Sequence, residues 1–337
     1  MAKEKKRKSP LKILLKTLLY VILVLLLAAA VLLVIPLTES PDTTSVAGSA
    51  DWMAALPDDM GINEVVLPGT HDSGSKYVQL GFVTKCQSLT IGEQLDAGYR
   101  YLDVRLCVAG DRMKLTHSFA NCKTRALGND VLYLDNVLSQ CYAFLDKHPT
   151  ETVVFAVKQE YGDDAVADFE TLLNGYVEKN PDYWLNSDTV PTLGEARGKL
   201  VLMRRYDDAA NVGAASGIPL LWNDQGGFED ATKNTEENDN GSYTLWVQDR
   251  YEYSVDEKWT AFTEGMIPVE DNSVAINFLS TKGHLPVGHP YYFAKALNEK
   301  LIEAENLSGW VIIDFASAPL AQHIYDMNFT SDAGGEK

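Results

Sequence analysis

The sequence predicts an α/β protein: a distorted TIM-type (β/α)8 barrel preceded by a single N-terminal transmembrane helix. Three observations support this fold class. Eight short apolar runs alternate with segments of helical spacing, which is typical of parallel strands joined by helices. These runs lie within residues 51–330, a length that suits eight strand–helix units. Residues 17–35 form an uncharged apolar run of 19 residues, close to the ~20 that a membrane-spanning helix needs.

The N-terminal segment is basic, since residues 1–16 carry a local charge of +6. A basic cluster before an apolar span predicts a cytoplasmic N-terminus and an extracellular remainder. The alternative is a cleaved signal peptide, whose apolar region usually has ~7–15 residues and a small-residue cleavage site beyond it. Here the run is longer, and bulky residues 31–35 follow its alanines. These lengths favour a retained single-pass anchor, while cleavage around residues 47–50 stays open as an alternative.

The chain therefore divides into a cytoplasmic basic segment, an anchor, a stalk, a barrel and a tail. The stalk is assigned on its Pro, Ser, Thr and Gly content, which is typical of a flexible linker. The boundaries are 1–16, 17–35, 36–50, 51–330 and 331–337.

The barrel strands are predicted from apolar runs that mostly lack clean alternation, as in strands buried on both faces. They are 64–67, 101–108, 114–116, 152–158, 199–204, 244–248, 274–279 and 310–315. Helices are predicted at 90–97, 129–147, 163–178 and 292–305. Polar residues follow the strands with regularity, and active sites of such barrels lie at the carboxyl ends of the strands. We therefore expect a site at that rim.

Charge and cysteine content limit the function. The net charge of −18 leaves −24 outside the basic segment, which argues against nucleic-acid binding and against tight docking on strongly anionic membranes. Four cysteines follow the anchor, at positions 86, 107, 122 and 141. An even number in an exported chain permits two disulfides in three connectivities, and the alternative is four buried thiols. The lack of a Cys-x-x-Cys pair argues against a zinc or thioredoxin-type site.

Two histidines in separate strand-like segments carry the chemistry. His71 follows one run, His117 follows another, and Arg105 lies between them in the chain. One imidazole can accept a proton while the other donates one, and an arginine can hold a phosphate between them. This combination suits in-line attack of a hydroxyl on a phosphodiester.

The pattern resembles the bacterial phosphatidylinositol-specific phospholipase C family, with its X-type barrel, over roughly residues 52–330. The resemblance rests on blocks in the family's order. They are Leu67-Pro68-Gly69-Thr70-His71-Asp72-Ser73, Leu102-Asp103-Val104-Arg105, Leu115-Thr116-His117, the strands 151–160 and 198–206, Val247-Gln248-Asp249-Arg250-Tyr251, Pro290-Tyr291-Tyr292 and Gly309-Trp310-Val311-Ile312-Ile313-Asp314.

The resemblance implies a catalytic set. His71 would be the general base for the inositol 2-hydroxyl, with Asp314 positioning its imidazole. His117, paired with Asp72, would donate a proton to the departing glycerol oxygen. Arg105 would neutralise charge on the phosphorus centre, and Asp103 lies on the same strand and belongs to the set. The products would be diacylglycerol and inositol 1,2-cyclic phosphate.

The resemblance also implies a substrate-binding set around the inositol ring. Its members are Lys158, Glu160, Arg205, Asp249 and Tyr251, with Tyr292 against the sugar face. For Lys158 the alternative is a salt bridge with Glu160 or Asp103 at the barrel mouth.

We expect no metal and no cofactor. Calcium-dependent relatives have an acidic residue where this chain has Arg105, and a guanidinium there would repel calcium. The expected partners are phosphatidylinositol or a glycosylated derivative and the membrane, with no indication of an obligate protein partner. The alternatives are a metal-dependent glycerophosphodiester or sphingolipid phosphodiesterase of the same fold, and a non-catalytic module that binds inositol lipids.

Overall fold

A computed structural model describes residues 9–38, 48–162, 165–185, 187–206, 217–226, 236–239, 243–267, 272–284 and 288–329. The chain divides into two compact units, Met1–Glu39 and Ser40–Lys337. The first unit is helix α1 (Pro10–Thr38), which extends the predicted anchor at both ends. Its length and composition suit a membrane span or the apolar part of a signal sequence, and its most apolar stretch is not buried.

The predicted stalk falls mostly on residues 39–47, which lie outside the described residues, as do residues 1–8 and the tail from 330. The ends of the stalk are placed differently. Residues 36–38 are helical, and residues 48–50 form a turn that belongs to the second unit. There the Ser49 hydroxyl donates to the Asp96 carbonyl at 2.7 Å, and Arg100 donates to the Ala50 carbonyl at 3.0 Å. Residues 48–50, assigned to the stalk from the sequence, therefore contact the folded body.

The second unit is built on a curved, mainly parallel sheet. The described strands are β1 (Leu67–Thr70), β2 (Tyr101–Ala109), β3 (Arg112–His117), β4 (Ala120–Asn121), β5 (Val153–Gln159), β6 (Trp184–Leu185), β7 (Leu200–Arg205), β8 (Ile218–Pro219), β9 (Glu236–Asp239), β10 (Thr244–Gln248), β11 (Ser273–Phe278) and β12 (Trp310–Ile313). Their order is β6-β7-β5-β2-β1-β12-β11-β10-β9, with β8 beside β7. All these pairs are parallel except β9 with β10. The distorted barrel fold predicted from the sequence agrees with this sheet.

One predicted barrel strand is wrong in its role. The run 114–116 lies in β3, which pairs antiparallel with β2 and branches from the main strand order of the sheet. Only Gly110 and Asp111 separate β2 from β3, and a parallel crossover needs a dozen or more residues. Gly110 has φ of +70°, which suits the tight turn of this hairpin. The hairpin continues into β4, so His117 is carried on a two-strand extension of the barrel rim.

The helices of the second unit cover the sheet. They are α2 (Gly81–Thr84), α3 (Ile91–Asp96), α4 (Leu134–Lys147), α5 (Val166–Lys179), α6 (Leu193–Ala196), α7 (Val255–Glu264), α8 (Pro290–Leu301) and α9 (Ala318–Tyr325). The four predicted helices correspond to α3, α4, α5 and α8. Capping boxes begin α3, α6 and α7, each with Ser or Thr at the cap and Glu three residues on. This signal could have identified α6 and α7 from the sequence.

The central strands are buried on both faces, as their continuous apolar runs predict. In β5, Val154 and Ala156 pack in one core cluster while Val153, Phe155 and Val157 pack in the other. A strand sends alternate side chains to opposite faces, so one cluster lies on each side of the sheet. This packing fixes the register of the strands and hence the position of the polar residues at their carboxyl ends.

The cysteines correct the disulfide expectation. All four are free and buried, in agreement with the alternative of four buried thiols. Cys122 and Cys141 lie within the core cluster that packs against α4 and α5. Cys86 differs, because it lines the pocket described below.

Candidate active site

A pocket of about 640 Å³ opens at the carboxyl ends of the parallel strands. Nine of the predicted site residues line it. They are His71, Arg105, His117, Lys158, Glu160, Arg205, Asp249, Tyr251 and Asp314. Most of them follow or end a strand, as the barrel geometry predicts.

The His71 imidazole lies between a carboxylate and a guanidinium. It follows β1, and its Nδ1 lies 2.7 Å from Oδ1 of Asp314, which follows the neighbouring strand β12. Its Nε2 lies 2.9 Å from NH2 of Arg105. A guanidinium only donates, so Nε2 must be the acceptor and Nδ1 the protonated nitrogen that donates to Asp314. Burial lowers the pKa of His71, but the Asp314 carboxylate outweighs burial and raises the pKa above its ordinary value.

His117 faces His71 across the pocket, with ring centroids 6.4 Å apart. Its Nδ1 lies 2.6 Å from the carbonyl oxygen of Thr84, to which it donates. Its Nε2 lies 3.3 Å from Oδ2 of Asp72. The two imidazoles are thus oriented by different partners.

Asp72 takes a backbone conformation that most residues avoid. Its φ is +44°, in the left-handed region, where aspartate is tolerated better than most side chains. The strained turn is held by Asp103, whose Oδ2 accepts a hydrogen bond from the Asp72 N–H at 3.1 Å and whose carbonyl accepts one from Ser73. This turn directs the Asp72 carboxylate toward His117 rather than into solvent.

Arg105 is fixed among three carboxylates. Its Nε donates to Oδ2 of Asp103 at 3.0 Å and lies 3.6 Å from Oδ1 of Asp72, and its NH1 donates to Oε1 of Glu160 at 3.4 Å. Burial lowers the pKa of Arg105, but the carboxylates outweigh burial and raise the pKa well above its ordinary value. The guanidinium is therefore a permanent cation beside His71.

Asp103 lies behind the pocket rather than on its wall. It is fully buried and accepts hydrogen bonds from both Arg105 and Arg205, the latter at 3.1 Å. Burial raises the pKa of Asp103, but the two guanidinium groups outweigh burial and hold the pKa well below its usual range. Its position makes it the anchor of both arginines.

The predicted substrate-binding residues form two pairs at the rim. Lys158 Nζ lies 2.7 Å from Oε2 of Glu160, as the salt-bridge alternative predicts. Burial raises the pKa of Glu160, but Arg105 and Lys158 outweigh it and lower the pKa to about 2. Burial and the Arg105 cation lower the pKa of Lys158. In the second pair, NH2 of Arg205 lies 3.7 Å from Oδ2 of Asp249.

Among the lining residues that were not predicted as site residues, three make contacts that bear on the chemistry. The guanidinium carbon of Arg205 lies 3.7 Å above the ring of Trp222, whose Nε1 donates to Asp249 at 3.1 Å. Asp224 accepts a hydrogen bond from the Tyr251 hydroxyl at 2.9 Å. Trp222 and Asp224 lie in an irregular segment after β8, where Pro219 interrupts the short apolar run 218–222. The third is Cys86, whose Sγ lies 3.9 Å from Nδ1 of His117 and which the sequence indicates only as a disulfide partner or a buried thiol.

Tyr292 does not line the pocket, contrary to the expectation that it lies against the sugar face. Its ring packs on His289, with centroids 4.7 Å apart, and on Tyr291. Pro290 begins α8 and does line the pocket. Two residues along a helix turn the side chain by about 200°, so Tyr292 points away from the direction of Pro290.

The comparisons with known proteins agree with this geometry. The family model "PI-PLC X 1" matches residues 61–212. A 1-phosphatidylinositol phosphodiesterase of Staphylococcus aureus strain Newman is 31% identical over 289 residues, which cover 79% of this chain and 88% of that protein. A 1-phosphatidylinositol phosphodiesterase of Listeria monocytogenes is 30% identical over 167 residues, covering 45% of this chain and 47% of that protein.

Solved structures show the same fold. A mutant phosphatidylinositol-specific phospholipase C from Staphylococcus aureus superposes with a TM-score of 0.68 and 25% identity, over 82% of this chain and 97% of that one. The Listeria monocytogenes phosphatidylinositol-specific phospholipase C superposes with a TM-score of 0.65 and 24% identity, over 83% of this chain and 98% of that one. This chain therefore belongs to the family of bacterial phosphatidylinositol-specific phospholipases C that carry the PI-PLC X domain.

Proposed function

We propose that this protein is a 1-phosphatidylinositol phosphodiesterase, a phosphatidylinositol diacylglycerol-lyase. It cleaves the glycerol–phosphate bond of phosphatidylinositol or of a glycosylated derivative. The observation that carries the proposal is the pair of imidazoles 6.4 Å apart, with the Arg105 guanidinium 2.9 Å from one of them. The relatives named as 1-phosphatidylinositol phosphodiesterases support the substrate class.

The first step is intramolecular attack. Nε2 of His71 takes the proton of the inositol 2-hydroxyl, and the 2-oxygen forms a bond to phosphorus. Asp314 stabilises the imidazolium through the 2.7 Å contact to Nδ1, as a carboxylate does in a catalytic triad. Because nucleophile and phosphorus belong to one molecule, the enzyme needs only to hold the reactive conformer.

The leaving group departs on the other side. His117 donates a proton from Nε2 to the glycerol oxygen as the phosphorus–oxygen bond breaks, which releases diacylglycerol and inositol 1,2-cyclic phosphate. Arg105 binds the non-bridging oxygens and neutralises the charge that develops at phosphorus. Water attack with the histidines in exchanged roles then opens the cyclic product more slowly.

Substrate recognition is assigned to the charged rim. Lys158, Glu160, Arg205 and Asp249 offer donors and acceptors to the inositol hydroxyls, and Tyr251 borders the same pocket. The salt bridge between Lys158 and Glu160 does not oppose this role, because paired side chains still present free donors and lone pairs to a ligand.

The reaction is proposed to need no metal ion. Asp72, Asp103 and Glu160 are the carboxylates that could gather around a calcium ion, and all three face the guanidinium of Arg105. Calcium needs about 6–8 oxygen ligands, and the guanidinium already holds oxygens from each of these groups. The calcium-dependent alternative therefore lacks an available set of oxygen ligands beside Arg105. A purely binding module would not need two imidazoles placed as an acid–base pair.

The membrane assignment rests on α1. We propose that α1 is a single-pass anchor with a cytoplasmic N-terminus, which leaves the catalytic body outside the cell. The length of the helix and the basic residues before it support this orientation. A covalent anchor keeps the enzyme at the surface that contains its lipid substrate.

The reaction is tested by phosphorus NMR of phosphatidylinositol vesicles that have been treated with the full chain. The expected first product is inositol 1,2-cyclic phosphate together with diacylglycerol. Exposed His284, which pairs with Glu257, offers a matched control: His284→Ala should retain turnover, whereas His71→Ala should not. Turnover of glycerophosphodiesters or sphingomyelin without turnover of phosphatidylinositol would overturn the proposal.

A further inference from the structure

Cys86 lies in a place that the proposed mechanism does not use. It is 1% exposed, it lines the pocket, and its Sγ is 3.9 Å from Nδ1 of His117. Asp72, Cys86 and His117 each place one potential metal-ligand atom within 4.8 Å of the other two. In a tetrahedral zinc site the ligand atoms stand about 3.3–3.8 Å apart, as bond lengths of about 2.0–2.3 Å require. Small side-chain shifts would therefore bring the three groups into contact with one ion.

Asp72 provides an independent sign of a missing ligand. Its side chain is 3% exposed, and within the described part of the chain its Oδ2 accepts no hydrogen bond. Nε2 of His117 is 3.3 Å away without the alignment of a hydrogen bond. A buried carboxylate oxygen without a hydrogen bond is costly, and its satisfaction by a cation would remove that cost. The oxygen lies 3.3 Å from Nε2 of His117, and Asp72 belongs to the same cluster of possible ligands as Cys86.

His117 is also prepared as a metal ligand. Its Nδ1–H donates to the Thr84 carbonyl at 2.6 Å, which leaves the lone pair on Nε2, the nitrogen that faces Asp72. Histidines that bind metals almost always donate their other ring N–H in this way. His71 is not equivalent, because Arg105 occupies its Nε2 and Asp314 occupies its Nδ1.

We propose that Asp72, Cys86 and His117 form an inhibitory site for zinc. Zinc binds through Sγ, Nε2 and a carboxylate oxygen, with a water as the fourth ligand, and the Cys86 thiol releases its proton to solvent as the zinc–sulfur bond forms. Thiolate and imidazole donors select zinc over calcium or magnesium. The Arg105 cation faces Oδ1 of Asp72, whereas Oδ2 faces the zinc position. The Cys-x-x-Cys spacing that argues against zinc in the sequence is not needed when ligands come from separate loops.

The inhibition follows from the proposed function, on which this part of the inference rests. Zinc bound to Nε2 of His117 occupies the lone pair of that nitrogen. Nε2 can then no longer carry the proton that the leaving oxygen needs. Zinc on Asp72 also fills the space beside the phosphate. Turnover of phosphatidylinositol should therefore fall as zinc binds and return when a chelator removes it.

The test uses the full chain and two metal probes. Zinc is titrated against phosphatidylinositol turnover, and cobalt(II) is titrated without substrate while the near-ultraviolet thiolate-to-cobalt charge-transfer band is recorded. Cys86→Ala is compared with Cys141→Ala, which removes an equally buried thiol outside the pocket. Loss of a neighbour that only orients a ligand costs 10–100-fold in metal affinity, so loss of the thiolate ligand should cost at least about 10-fold.

The expected result is that wild type and Cys141→Ala show the band and are inhibited by zinc. Cys86→Ala should retain turnover, lack the band and need at least about 10-fold more zinc. Equal zinc sensitivity in Cys86→Ala, or no thiolate band in wild type, would overturn the site. A wild-type protein that shows the band but does not cleave phosphatidylinositol would instead refute the proposed function and leave the metal site standing.

Discussion

The guanidinium NH2 of Arg105 lies 2.9 Å from Nε2 of His71. This contact fixes the tautomer of the imidazole, because an arginine cannot accept a hydrogen bond. The lone pair on Nε2 is kept in the pocket while Nδ1–H is held by Asp314. When a phosphate takes the guanidinium, the same nitrogen becomes available to the inositol 2-hydroxyl. In the proposed mechanism, Arg105 therefore contacts the base, Nε2 of His71, until the substrate phosphate binds.

Replacement of the histidines should separate their roles. His71→Ala should lower turnover by ~100- to 10,000-fold for every leaving group, because a general base is lost. His117→Ala should be as damaging for phosphatidylinositol, whose alkoxide needs a proton, but much less damaging for a nitrophenyl inositol phosphate, whose leaving group departs unprotonated. Steady-state rates with the two substrates measure the difference. Equal losses with both substrates would show that His117 is not the general acid.

The pH profile should report the carboxylate behind His71. His71 must be neutral to act as a base, and its pKa is raised because the Asp314 carboxylate outweighs burial. The acid limb of kcat/KM should therefore lie above the ordinary histidine value, with activity falling as pH falls through it. Asp314→Asn removes the charge that raises this pKa, so its residual activity should show an acid limb at lower pH. An unchanged limb would mean that another group controls it.

A buried ion pair far from the site should control stability. Arg100 and Glu151 are both fully buried, and the Arg100 Nε and NH2 groups donate to the same Glu151 oxygen at 2.9 and 2.8 Å. Arg100→Met leaves a buried unpaired carboxylate and should cost ~3–5 kcal/mol of unfolding free energy. Urea unfolding of the full chain in mild detergent measures the loss. The double variant Arg100→Met/Glu151→Leu should recover part of it, because the carbonyls of residues 49, 50, 95 and 99 still lose their Arg100 donors. No recovery at all would show that the unpaired carboxylate is not the cause.

The proposed topology can be tested on intact cells. Protease added outside should release an active soluble fragment cut within residues 39–47, which join α1 to the folded body. N-terminal sequencing of the cell-bound protein serves as the control. A mature N-terminus already located near residues 47–50 would establish a cleaved signal peptide and contradict the anchor.

The sequence predicts the barrel well because its strands are buried on both faces. Runs such as 152–158 are continuous and apolar, so both their existence and their carboxyl ends are visible, and His71, Arg105 and Asp314 follow from those ends. The hairpin of β3 was harder to predict, since its apolar run resembles that of a barrel strand. Only the two-residue connection from β2 distinguishes it.

The remaining parts of the site depend on tertiary contacts. Trp222 contacts Arg205 and Asp249 from an irregular segment that has no periodic pattern. Cys86 reaches His117 only because α2 and the turn after it fold over the hairpin end, which is a relation between distant segments. Tyr292 was misplaced because a helix beginning at Pro290 turns it away from the pocket.

Metal dependence of turnover tests the central claim, that Arg105 provides the cation at the reacting phosphate. We predict that wild-type enzyme retains full turnover of phosphatidylinositol in excess chelator and gains nothing from calcium. Arg105→Asp should be nearly inactive in chelator and only partly rescued by calcium, because Lys158 leaves a positive charge near the ion, worth about 4 kcal/mol per unit charge at 4 Å and an effective dielectric of 20. Wild-type activity that is lost in chelator and restored by calcium would contradict the account.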